Sequence, residues 1–178
     1  GLELPSAYGV AVDIGTTTVV VYVVNLQTGD ILASAASYNE QGRYGADVVS
    51  RIEHCNDDLQ GIATLRELVI ETINRTIADA CVTPGIDVNN IYEATVVGNT
   101  AMMHLFMGLN PRYLAQSPYI PVTSAPQYLR PEEARIKMHP RGNVYCIPPI
   151  AGFVGADTVG VILASDMVRR NDAVLAVD

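Results

Sequence analysis

Residues 10–25, VAVDIGTTTVVVYVVN, constrain the fold more than any other part of the chain. Two valine-rich runs, 9–13 and 17–25, have the β-branched composition of strands. So few residues separate them that the second run must turn back antiparallel to the first. A turn needs only Gly15, yet Asp13 precedes it and Thr16, Thr17 and Thr18 follow it. A tight bend at a glycine exposes successive backbone N–H groups, a geometry that attracts anions, usually phosphate. Threonine hydroxyls donate to phosphate oxygens. Asp13 repels phosphate directly but is suited to hold Mg²⁺, or a Mg²⁺-bound water, against it. On the residues alone, a polar hairpin whose Asp13 caps the turn is an equal reading.

The elements that follow set the fold class. Gln27-Thr28-Gly29-Asp30 reads as a hairpin turn into a third strand, 31–37. Val48, Val49 and Ile52 give a short helix one apolar face. Ile62, Leu65, Val69, Ile73, Ile77 and Ala80 recur at helical spacing over 59–81, and Thr83-Pro84-Gly85 ends that helix. A buried strand at 91–97 leads into the short helix TAMMHLFMG. Residues 109–143 are proline-rich and aperiodic and read as an irregular excursion, with a short helix at 131–137 where Pro131, Glu132 and Glu133 suit a helix start. A strand at 143–147, an amphipathic helix in GADTVGVILASDMVRR and the opening of one more strand in AVLAVD complete the chain. Three antiparallel strands extended by strands that alternate with helices predict a mixed α/β sheet with helices on both faces, in a single domain.

Composition narrows function by exclusion. A net charge of −8 and a pI near 4.7 without a basic stripe argue against nucleic-acid binding. The longest apolar run falls short of the ~20 residues a membrane span needs. Cys55, Cys81 and Cys146 make no CxxC or zinc spacing, and an odd, scattered set suits a reducing, cytoplasmic compartment.

The motif VDIGTTT between the first two strands of this element order resembles the first phosphate loop of the acetate kinase, sugar kinase, heat-shock chaperone and actin superfamily. Three longer stretches, YNEQGRYGADVVSRI, VVGNTAMMHLFMGLNP and PPIAGFVGADTVG, resemble one branch of it, the reductive activators of corrinoid enzymes. The resemblance runs from Tyr8 to Asp178, covers the first half of the ATPase domain and implies a ribonuclease H-like fold. It implies ATP and Mg²⁺ as ligands of the intact protein and a [2Fe-2S] cluster in an upstream domain outside this chain. The implied partner is a corrinoid protein, returned from inactive Co(II) to Co(I) with help from ATP binding and hydrolysis.

Residue by residue, the resemblance assigns Asp13 to Mg²⁺ and catalytic water and Gly15, Thr16, Thr17 and Thr18 to the phosphates. Gly155, at a helix N-terminus, approaches phosphate, and Asp157 orients the attacking water or reads as an ordinary first-turn acid. Asp178 resembles the metal-binding acid of the second phosphate loop. Gly98-Asn99-Thr100 reads first as a helix cap, His104 and its neighbouring methionines as core, and Arg43, Tyr44, Asp47 and Arg51 as a solvated loop with a helix cap, a cleft edge or a subunit interface. Two alternatives stay open: a sugar or carboxylate kinase of the same superfamily, and a non-catalytic docking module. Alone, half of a two-sided clamp is expected to be catalytically inactive, and an unpaired strand edge makes homodimerisation an expectation.

Overall fold

The computed structural model describes residues 7–58, 60–169 and 173–175. Strands β1 (Tyr8–Ile14), β2 (Thr18–Asn25) and β3 (Ile31–Tyr38) form an antiparallel meander. Helices α1 (Val48–Asp57) and α2 (Gly61–Val82) follow, then β4 (Ile91–Gly98), α3 (Thr100–Met107), β5 (Gln127–Leu129), α4 (Pro131–Ala134), β6 (Asn143–Cys146) and α5 (Ala156–Ala164). The six strands lie in the order β3-β2-β1-β4-β6-β5. β4 runs parallel to β1 and β6 parallel to β4, whereas β5 pairs antiparallel to β6.

Side-chain alternation decides which face is which. Val10, Val12 and Ile14 of β1 and Val19, Val21 and Val23 of β2 are buried, while Ala11, Asp13 and Tyr22 between them are exposed. The buried set meets α2, whose Leu65, Val69, Ile73, Ile77 and Ala80 form one apolar stripe. Burying each large aliphatic side chain contributes about 1.5–3 kcal/mol. Thr72 and Thr76 lie in the same buried surface, and each hydroxyl donates to the carbonyl four residues back, at 2.7 Å. The opposite face is covered at β4 by α5: a Cβ at Gly160 would sit 3.7 Å from Val97 Cγ1. Helices therefore pack on both faces of a mixed sheet, the ribonuclease H-like arrangement. Among the described residues no helix is long and apolar enough to cross a membrane.

Residues 109–143 leave the sheet and return to it. They carry a short 3-10 turn, Arg112–Ala115, and then β5, a strand absent from the sequence reading. QYL is too short to show a period, and only pairing beside β6, with Tyr128 stacked 4.8 Å from Tyr145, makes it a strand. The helix expected over 131–137 stops at Ala134, where Arg135 turns left-handed at φ 57°. Residues 173–175 carry no regular structure, and the final strand expected there runs on to 176–178, outside the described residues.

His104 pins this segment to α3. Its Nδ1 lies 2.7 Å from the Thr100 carbonyl, and its Nε2 accepts the Val122 N–H at 2.9 Å. A carbonyl only accepts, so Nδ1 carries the proton and the ring is neutral. Burial pushes the imidazole below its ordinary 6.5. The folded pKa is thus lower than the unfolded one. Stability from the neutral ring is complete above about 6.5 and is lost as pH falls through the folded value. Chemical denaturation should show His104→Ala costing about 1–3 kcal/mol at pH 7.5, and less at pH 5. A cost unchanged between the two pH values would show that His104 is not the group that titrates.

Candidate functional site

The site is built on the turn between β1 and β2. The Gly15 N–H donates to Thr18 O at 3.0 Å, and a Cβ at Gly15 would lie 2.5 Å from that oxygen, so a side chain does not fit. The turn's carbonyls are all held. Gly15 O accepts from Asn39 Nδ2 at 2.9 Å, Thr16 O from Arg51 Nη2 at 2.5 Å, and Thr17 O from the Asn39 N–H at 2.8 Å. Asn39 and Arg51 are essentially without solvent exposure, at 0% and 1%. In a trans peptide the N–H points opposite to the preceding C=O. With the Gly15 and Thr16 carbonyls turned inward, the Thr16 and Thr17 amides face the other way, on the side where Thr17 and Thr18 are exposed. Successive outward amides beside threonine hydroxyls are a geometry that attracts anions.

Asp13 pairs in register with Val20 on β2 and Val97 on β4. Cross-strand partners share a face, so Asp13 lies on the Val97 side of the sheet, the side that α5 covers. Asp157 stands in the first turn of α5, one helical turn before Gly160, which approaches Val97. The two acids therefore lie on one side of the sheet. Asp157 is half-buried, and its Oδ1 accepts the Thr158 N–H at 2.7 Å.

Asn99 joins the turn to the rest. Its Oδ1 accepts the Met102 N–H at 3.0 Å and caps α3, while its Nδ2 donates to Thr16 Oγ1 at 3.0 Å. The Thr16 hydroxyl accepts from Asn99, which leaves its own proton to donate elsewhere. A Cβ at Gly155 would fall 2.6 Å from Asn99 Cα and 2.9 Å from Gly98 O, so the loop before α5 lies directly against the β4–α3 junction. Three junctions thus meet beyond the carboxyl ends of β1 and β4, where ligands bind in open α/β sheets. A cavity of about 190 Å³ adjoins them, lined by Val48, Val49, Asn99, Thr100 and Phe153 among others. A larger groove of about 550 Å³ runs along α2 past Glu67, Arg75 and Arg135; Glu67 pairs there with Arg135, and the groove touches none of the three junctions.

The turn residues expected from sequence, Asp13 and Gly15 to Thr18, lie together at the end of β1 and on the bend that follows; Gly155 meets Asn99, which bonds Thr16, and Asp157 lies on the Asp13 side of the sheet. Asp178 lies outside the described residues. Among the described residues no three or more His, Cys, Asp or Glu side chains cluster to hold a metal. Mg²⁺ bound beside phosphate needs only one or two protein carboxylates, which the exposed Asp13 fits. Cys55, Cys81 and Cys146 are free and buried, and burial raises the Cys55 thiol to about 11 and Cys146 to about 12. Asn39 is a supporting residue that sequence reasoning did not assign, and Arg51, singled out there without a choice of role, is buried beneath the turn. The unusual polarity of NEQGRYGADVVSRI was the available signal, but a buried arginine and a solvated one look alike in sequence.

The chain matches the family model described as the RACo middle region over residues 8–170. It is 35% identical over 156 residues to the corrinoid activation enzyme RamQ of Eubacterium limosum, covering 88% of this chain and 26% of that protein. A solved structure of a reductive activator for a corrinoid, iron-sulfur protein superposes with a TM-score of 0.93 at 38% identity, covering 97% of this chain and 27% of that one. The chain spans about a quarter of the length of these relatives. Matched along nearly all of its residues and sharing a fold with a solved relative, this chain belongs to the RACo middle region family.

Proposed function

We propose that this chain is the first half of an ATP-binding and ATP-hydrolysing domain, within an iron-sulfur activator that reduces inactive Co(II) corrinoid proteins to Co(I). The observation that carries the reading is the β1–β2 turn. Its carbonyls are tied inward by Asn39 and Arg51, so two amides face outward beside the threonine hydroxyls. Asp13 stands three residues before the first of them, and Asp157 stands on the same side of the sheet. Membership of the RACo middle region family, and the names of the relatives, support the corrinoid protein as partner.

In this reading the Thr16 and Thr17 amides and the hydroxyls of Thr16, Thr17 and Thr18 donate to phosphate oxygens. Gly155 lets the start of α5 approach without a side chain in the way. Asp13 orients a metal-bound water and Asp157 the attacking water. Phosphoryl transfer asks chiefly for positioning and charge stabilisation, so this modest set of groups suffices. Mg²⁺, when bound, neutralises phosphate charge and so relieves its repulsion from the two carboxylates. ATP that binds one cleft conformation more tightly than another shifts their populations, by no more than that difference in affinity.

In the full-length activator, Asp13→Asn should lower ATP hydrolysis about 100-fold or more, and Asp157→Asn about 10–100-fold. Phosphate release measured with and without sugars or carboxylates checks both. Hydrolysis that depends on such an added acceptor would point to a small-molecule kinase instead.

The 178-residue chain by itself should bind MgATP more weakly than about 1 mM, because it offers one side of a two-sided clamp. Micromolar binding in isothermal calorimetry would mean that the nucleotide site lies wholly within this chain.

A further inference from the structure

We infer that Arg51 is a positioning residue for nucleotide phosphate: its buried guanidinium holds the Thr16 carbonyl inward and sets a positive charge behind the outward amides of the turn. This rests on the nucleotide reading above and goes further, because it names the source of the field that the polyphosphate would meet.

Arg51 is 1% exposed. Its Nε donates to Gly45 O at 2.9 Å, its Nη1 to Gln41 Oε1 at 3.1 Å, and its Nη2 to Thr16 O. Met102 Sδ lies 3.2 Å from Nη1. Every one of these acceptors is neutral. Among the described residues, none of the ion pairs includes Arg51. Tyr38 first and then Asp47 act on it at longer range, and the Asp47 carboxylate is exposed and caps α1 through the Ser50 N–H at 2.8 Å.

A guanidinium withdrawn from water is usually matched by a carboxylate, because desolvating a lone charge is expensive. Here neutral dipoles hold it in place without cancelling it, so its field reaches the turn. A purely structural link between Gly45 and Thr16 would need two donors, which a neutral side chain can supply. A permanent cation adds attraction for an anion on the far side of the Thr16 peptide, and a polyphosphate is such an anion. The guanidinium cannot lose its charge at accessible pH, so the field is constant.

The test changes the charge and keeps the fork. Met102 is the third residue of α3, fully buried, with its sulfur against Nη1. Met102→Glu sets a carboxylate of similar length beside the guanidinium, and an acid suits the first turn of a helix. Met102→Gln has the same shape without the charge. In the full-length activator, calorimetry should show MgATP affinity falling on the order of tenfold in Met102→Glu and staying within about twofold in Met102→Gln. Adenosine affinity should be the same in both variants and in the wild type.

Undiminished MgATP affinity in a folded Met102→Glu overturns the inference, as does a matching loss of adenosine. If Met102→Glu does not fold, Arg51→Lys and Arg51→Met decide the matter. Lysine holding affinity within about threefold while methionine loses about tenfold supports a charge effect, and equal losses overturn it. A wild-type protein without MgATP affinity overturns the nucleotide reading and this inference together. Wild-type binding that none of the variants weakens overturns this inference alone.

Discussion

The hydrogen bond from Arg51 to the Thr16 carbonyl links the parts of the structure on which the site depends. One guanidinium joins the β1–β2 turn to Gly45 and Gln41 in the following loop, and its methionine neighbour sits on α3. Gln41 in turn donates to Leu65 O on α2 at 2.8 Å. Removing any one acceptor would leave a buried donor unsatisfied, which costs about 1–3 kcal/mol, and more for a charged group. The turn therefore inherits the rigidity of the helical layer beneath it. Its amides are aimed by Asn39, from the loop after β3, and by Arg51, from α1.

The sheet supplies the second constraint. β1 and β4 run parallel, so their carboxyl ends, and the loops that leave them, emerge side by side. Contact there is close because glycines stand at the crossing points. Gly98 comes near the Ile14 carbonyl, where a Cβ would lie 2.7 Å away, and Gly155 comes near Asn99. Backbone thus meets backbone, and Asn99 spans the remaining gap to Thr16 with one amide group. The long helix α2 and the buried valines of β1 and β2 stabilise this platform from one face. α5 approaches from the other and brings Asp157 to the side of the sheet that carries Asp13.

The elements with a strong period were readable in the sequence. The valine runs became β1 and β2, and the stripe from Leu65 to Ala80 became α2 within a residue or two of its expected ends. β5 was not readable, because three residues show no alternation and only the exposed edge of β6 recruits them. The helix at Pro131 was placed correctly at its start and overextended at its end, since the left-handed Arg135 carries no compositional sign. Of the site, the turn and the first residues of α5 were legible as motifs. Asn99 was legible as a cap, and its second bond to Thr16 was not.

What the sequence determined by itself is whatever depends on near neighbours: strand or helix, the position of the turn, and the grouping of an acid, a glycine and three hydroxyls on it. These follow from periods of two and 3.6 residues and from the steric freedom of glycine, which act over a few residues. The tertiary structure alone decided that Asn39, Arg51, Asn99 and Met102 gather around that turn, that Arg51 is buried among neutral acceptors, and that Asp157 shares a side of the sheet with Asp13. Burial and convergence depend on which distant segments the sheet order brings together, and no local pattern of residues encodes that.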